Sequence, residues 1–173
     1  NDGVEITTAD NTDTLTLVST DADSNVGPVL NLYRNSSSPA DDDDAGRIHF
    51  TSNDSGGNAT TFATIRTVVG DVTDGTEDIQ VLHQQVIAGT NVNTMRIKPD
   101  EIVFNDSSID LDFRVESNGN THMLFVDGGN DHVNIGTSSD LGATLNVNGS
   151  GYFTTADNTD TLTLRSTDDD ANS

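Results

Sequence analysis

The chain has 173 residues, with 29 Asp and Glu against 7 Lys and Arg, a formal charge of −22 and no Cys. That length holds one ordinary domain or one and a fraction, and the lack of Cys removes disulfides, thiolate nucleophiles and Cys-ligated zinc or iron–sulfur centres. So strong a negative field repels phosphate backbones and anionic lipid, which argues against a nucleic-acid binder and against a basic membrane-surface helix.

Leu, Ile, Val and Phe number 41, or 24% of the chain, only a little above the roughly 20% that marks disorder at high charge. Any core is therefore expected to be thin. No apolar run approaches the roughly 18 residues that span a bilayer, and the residues that follow Asn1 show no basic-then-apolar pattern. The chain is read as a piece of a longer soluble protein.

Apolar residues alternate with polar ones, the period of half-buried strands. In chain order the pairs are Leu15/Leu17, Leu30/Leu32, Ile48/Phe50, Ile79/Val81, Met95/Ile97, Ile102/Phe104, Leu111/Phe113/Val115, Met123/Phe125, Val133/Ile135 and Leu145/Val147. Turn clusters separate them at 54–58, 71–78, 88–91, 117–120 and 127–130, rich in Gly, Asn and Asp. No stretch offers ten consecutive good helix formers. The expectation is ten to twelve short strands and essentially no helix.

Residues 7–25 and 154–172 are identical at 16 of 19 positions, at an offset of 147. That period exceeds the roughly 20–50 residues of solenoid units and matches a whole domain. Residues 1–147 are thus one β-rich unit, and residues 148–173 begin the next as a copy of residues 1–26. The repeated stretch, with Thr7, Thr8, Leu15 and Leu17 and their counterparts Thr154, Thr155, Leu162 and Leu164, is the expected junction between units. A unit that buries only alternate residues leaves sheet edges open, and self-association is the remedy open to a poor core. The expected fold class is all-β: short antiparallel strands forming β-sandwich or β-prism-like units stacked along a fibre, as a homotrimer. A self-sufficient β-sandwich bead in a single-stranded array is the competing architecture.

Acidic loops come first as candidate chemistry. Asp21, Asp23 and Asn25, the matching Asp168, Asp170 and Asn172, and the run Asp41 to Asp44 place oxygen ligands at the spacing a hard cation such as calcium takes from a tight loop. A complete EF-hand loop counted from Asp21 needs Gly at its sixth position and Glu at its twelfth, where this chain has Val26 and Leu32. Solvated acid is the favoured reading, and no cofactor other than calcium is a candidate. The stretch Gly128 to Gly136 partly echoes the nonapeptide of calcium-binding β-rolls but occurs once, so a hairpin turn between Met123–Val126 and His132–Ile135 is expected there. His49, His83, His122 and His132 form no zinc motif; a His facing a three-fold axis meets copies of itself and makes a pH-sensitive or metal-binding ring. Carboxylate pairs such as Asp100/Glu101 or Asp110/Asp112 are cheap among 29 acids, so glycan cleavage is the third-ranked function and the expectation is no enzyme. The basic residues Arg34, Arg47, Arg66, Arg96, Lys98, Arg114 and Arg165 lie in or beside predicted strands and are expected to be ion-paired across strands or between chains.

An ordered series of segments carries a resemblance. Gly27-Pro28-Val29-Leu30-Asn31-Leu32-Tyr33-Arg34, Gly46-Arg47-Ile48-His49-Phe50, Asp54-Ser55-Gly56-Gly57-Asn58, Asp74-Gly75-Thr76-Glu77-Asp78, Asp112-Phe113-Arg114-Val115-Glu116-Ser117-Asn118-Gly119-Asn120-Thr121 and Val133-Asn134-Ile135-Gly136-Thr137 resemble modules of tail-fibre proteins of tailed bacteriophages, especially marine ones. The resemblance covers most of residues 7–153. It implies an elongated, usually trimeric, β-rich virion component, extracellular, which projects from the tail and delivers a receptor-binding tip; the duplicated stretch adds the expectation of repeats joined end to end. The near-exact repetition is more regular than in such fibres and keeps open a bacterial extracellular filament or adhesin repeat, stiffened by calcium. The expected partners are further copies of the chain, with no nucleic acid and no membrane.

Overall fold

A computed structural model describes residues 3–151, and within them the chain forms nine strands and no helix. The strands β1 (Asp44–Asn53), β2 (Ala59–Asp71), β3 (Asp78–Ile87), β4 (Thr90–Ile97) and β5 (Ile102–Phe104) build one antiparallel sheet in chain order. The strands β6 (Phe113–Val115), β7 (Leu124–Asp127), β8 (His132–Ile135) and β9 (Leu145–Val147) build a second, also in chain order.

Turn chemistry sets these boundaries. At the β1–β2 hairpin, Asp54 Oδ1 accepts the N–H groups of Gly56 at 2.8 Å and Asn58 at 2.9 Å. At the next hairpin Asp71 Oδ1 accepts from Thr73 N–H at 2.8 Å. Between β3 and β4 only Ala88 and Gly89 intervene, with φ of 49° and 81°, as a two-residue hairpin loop of the I′ kind requires. The predicted hairpin at 127–130 forms between β7 and β8, with Asp127 Oδ1 accepting from Gly129 and Asn130 at 3.1 and 2.9 Å.

The last pairing departs from the antiparallel expectation: β8 and β9 run parallel, with Val133, Asn134 and Ile135 opposite Leu145, Asn146 and Val147. Residues 136–144 join them, a shorter crossover than the dozen or more residues usual for parallel neighbours. Gly136 opens this coil at φ 76°, where a Cβ would meet the carbonyl oxygen of Asn148 at 2.9 Å, so no larger residue fits.

Two predicted strands are absent. Leu15/Leu17 and Leu30/Leu32 carry the alternation of strands, yet residues 3–43 contain none. Alternation marks which side chains want cover; a strand also needs a neighbour for its N–H and C=O groups, and this segment runs beside none for its length. It is tied down toward its end, where Leu32 lies against Gly46 of β1, Arg34 donates to the Asp44 carbonyl at 3.0 Å and pairs with Asp43 at 2.9 Å, and Asp42 and Asp43 hydrogen-bond the backbone of Val69. Leu111 and Met123, also assigned to strands, flank β6 and β7 instead. The longest strand, β2, was not marked by any predicted pair, because its apolar residues Ile65, Val68 and Val69 fall on both faces and blur the alternation.

The described residues do not close a sandwich by themselves. Strands pack against neighbours of their own sheet, and the two sheets touch where the Phe104 and Phe113 rings meet at 4.7 Å. Val68, Leu82, Val92 and Phe125 are the buried apolar residues, whereas twenty-two large apolar residues among those described are exposed.

Candidate functional site

Register sorts the five-stranded sheet into two unlike faces, because successive side chains on a strand point to opposite sides. One row across all five strands is Ile48, Ile65, His83, Met95 and Phe104, and a second row on that same face is Gly46, Thr67, Val81, Ile97 and Ile102. The row between them, on the other face, is Arg47, Arg66, Leu82, Arg96 and Val103. One face is therefore apolar with a single imidazole, and the other carries three guanidiniums.

The charged face is internally neutralised. Arg47 and Arg66 sit directly opposite each other, a repulsive placement, and Asp44 answers both by hydrogen-bonded ion pairs. The two guanidiniums, Arg66 first, hold the Asp44 carboxyl below the usual aspartate range. Arg96 donates to the Gln80 side chain at 2.9 Å and lies 3.6 Å from Asp106. Arg34 pairs with Asp43, Lys98 with Glu101 and Arg114 with Glu116, so every basic residue among those described has an acidic partner within the chain. Arg165 lies outside the described residues.

The acidic run at 41–44 is a clasp on β2. Asp42 N–H donates to the Val69 carbonyl and Val69 N–H to the Asp43 carbonyl, each at 2.9 Å, while Asp41 Oδ1 accepts from Val72 N–H at 3.0 Å. Asp42 takes a left-handed φ of 66° to make this approach. Asp21, Asp23 and Asn25 lie on the exposed segment, and their oxygens turn onto the segment's own groups: Asn25 N–H and Nδ2 donate to Asp23 at 2.9 and 2.7 Å. Among the described residues no three carboxylate or imidazole groups converge on a cation position. Asp168, Asp170 and Asn172 lie outside the described residues.

Of the expected junction, Thr7, Thr8, Leu15 and Leu17 are exposed, with Leu15 and Leu17 open to 60% and 49%. Thr8 and Thr14 share a hydroxyl hydrogen bond of 2.9 Å. Thr154, Thr155, Leu162 and Leu164 lie outside the described residues. No helix among the described residues is long and apolar enough to cross a membrane.

The second sheet holds a feature that strand patterning missed. Asn134 and Asn146 occupy facing positions of the parallel pair, 1% and 3% exposed, and Asn146 Nδ2 donates to Asn134 Oδ1 at 2.6 Å. The Asn134 amide nitrogen finds no acceptor. The signal for this pair was the echo of Val133-Asn134-Ile135 in Leu145-Asn146-Val147, an internal spacing of twelve residues. Beside it an open hollow of about 590 Å³ lies between Phe104, Ile109, Phe113, Val126 and His132. His132 Nδ1 lies 3.2 Å from Asp140, close enough to pair when charged but out of line for a hydrogen bond. His122 stacks edge-on against Phe125 at 5.2 Å.

No family model, curated protein or solved structure matches the chain. On the apolar sheet face Ile48, Ile102 and Phe104 are exposed while Ile65, Val81, Met95 and Ile97 are half-buried, and Leu15, Leu17, Leu30 and Leu32 of the preceding segment are exposed.

Proposed function

We propose that the chain is a structural repeat unit of a phage tail fibre or fibre-like appendage, supplying reach and rigidity for host attachment and performing no catalytic step. The observation that carries this reading is the inversion of burial: Ile48, Phe50, Ile79, Ile102 and Phe104 on one sheet face, and Leu15, Leu17, Leu30 and Leu32 on the preceding segment, are all exposed while the core is four residues. Monomeric proteins scatter exposed apolar residues singly; contiguous patches mark surfaces that bind. The duplicated sequence at an offset of 147 supplies the natural partner, another copy of the unit.

In this reading identical chains associate as a trimer, turning their apolar faces inward, and successive units join end to end through Thr7–Leu17 and its copy. The assembly is extracellular, a virion tail fibre or a free filament. The test is electron microscopy of chains carrying two, three and four units. Rods that lengthen in equal steps with unit number are expected. Separate compact particles, with no rod at any unit number, overturn it.

A further inference from the structure

We infer that the apolar face of the β1–β5 sheet is the surface on which copies of this chain meet, and that His83 at its centre makes the contact reversible by pH. The inference rests on the fibre reading and adds to it the face, its occupant and its control.

Charge selects the occupant. Copies of a chain bearing −22 repel one another over most of their surface. The two apolar rows contain no Asp, Glu, Lys or Arg; the ion-paired Asp44, Arg47, Arg66 and Arg96 belong to the opposite side. Like copies therefore approach on this face without setting acid against acid. Its size also suffices. Four strands of 10, 13, 10 and 8 residues and the three-residue β5, about 4.8 Å apart at about 3.4 Å per residue, present roughly 700 Å² per copy, so two faces reach the roughly 1,000 Å² of a specific interface. Ile102 is 59% exposed and Ile79 51% in the single chain, which leaves their cover to the partner.

His83 is the one titratable group in these rows. Along β3 its neighbours on the face are Val81 and Gln85, and across the sheet they are Ile65 of β2 and Met95 of β4. The elements packed against β3 are β2 and β4, and neither places a charged group on this side. A neutral imidazole sits in a dry interface at modest cost, whereas an imidazolium facing the same apolar rows of another copy lacks a counter-ion. Protonation is cheap only when the face is wet. Acidification through the histidine range therefore favours separated copies, and a return to alkaline pH restores them.

Light scattering on the whole chain tests this at about pH 8 and about pH 5.5, where ordinary carboxylates stay ionised and an ordinary imidazole changes charge. Wild type is expected to be a multiple of 18.3 kDa at the higher pH and to fall to the single-chain mass at the lower, with its strand circular dichroism intact. His83→Gln is expected to remain associated at both. Ile102→Asp, at a position open enough in the single chain to leave the fold alone, is expected to be single at both. A single-chain wild type at the higher pH overturns the fibre reading itself. An associated wild type indifferent to pH overturns the role of His83, and an associated Ile102→Asp overturns the face, in favour of contacts made by residues 3–43 or the second sheet.

Discussion

Three aspartates that close hairpins hold their carboxyls below the ordinary value of 3.8, each for a local reason. Asp54 is held by Asn58, through its backbone N–H first and then its side chain; Asp71 by Thr73, and Asp127 by the Asn130 side chain. A carboxyl more acidic in the folded than in the unfolded chain stabilises the fold above its unfolded value and loses that contribution as pH falls through the folded one. The window is thus below about pH 4. Acid titration followed by circular dichroism is expected to show strand loss in that window. The variant carrying Asp54→Asn, Asp71→Asn and Asp127→Asn is expected to start from a lower melting temperature at neutral pH and to lose less on acidification. An acid limb as steep as wild type's shows that these caps do not contribute.

At the scale of elements, the paired residues on each sheet make unequal demands. Asp44 is the shared answer to two opposed arginines, so Asp44→Ala leaves Arg47 beside Arg66 with no neutralising group. The expected loss is about 1 kcal/mol, reduced by solvent screening and smaller still at high salt, measured by denaturant unfolding. The asparagine pair asks for a double-variant test. Asn146→Leu removes the one donor to buried Asn134 and is expected to cost about 1–3 kcal/mol, whereas the double change to Leu removes both polar groups and is expected to recover most of that. A double variant no better than the single refutes the idea that the amide pair, more than backbone register, governs the β8–β9 contact. These elements also mark what the sequence could disclose. Period-two alternation located every described strand but β2, and Gly/Asn/Asp clusters located the turns, because both are local chemistry. The same alternation overstated Leu15/Leu17 and Leu30/Leu32, for which pairing depends on a neighbour and not on the segment itself. It understated β2, whose two faces are both partly apolar. The opposed faces of the large sheet were implicit in Arg47-Ile48 and in Ile65-Arg66, but only register shows that the arginines of three strands align in one row.

For the whole molecule, charge and apolar surface pull assembly in opposite directions, and their separation on the sheet says which wins where. Among the described residues the six Lys and Arg side chains are paired within the chain, so little of their charge is left to bridge copies, and most of the described acids without such a partner lie on loops and on residues 3–43. Interfaces held by ion pairs weaken when salt screens them; interfaces made of apolar area, opposed by like-charge repulsion at longer range, strengthen instead. The second case applies to a −22 chain whose apolar face is free of charge. Raising sodium chloride at constant pH is accordingly expected to tighten self-association, seen as a lower midpoint concentration in sedimentation or light-scattering dilution series. Dilution midpoints that rise with salt place interchain ion pairs at the contact and remove the apolar face as its main source of affinity.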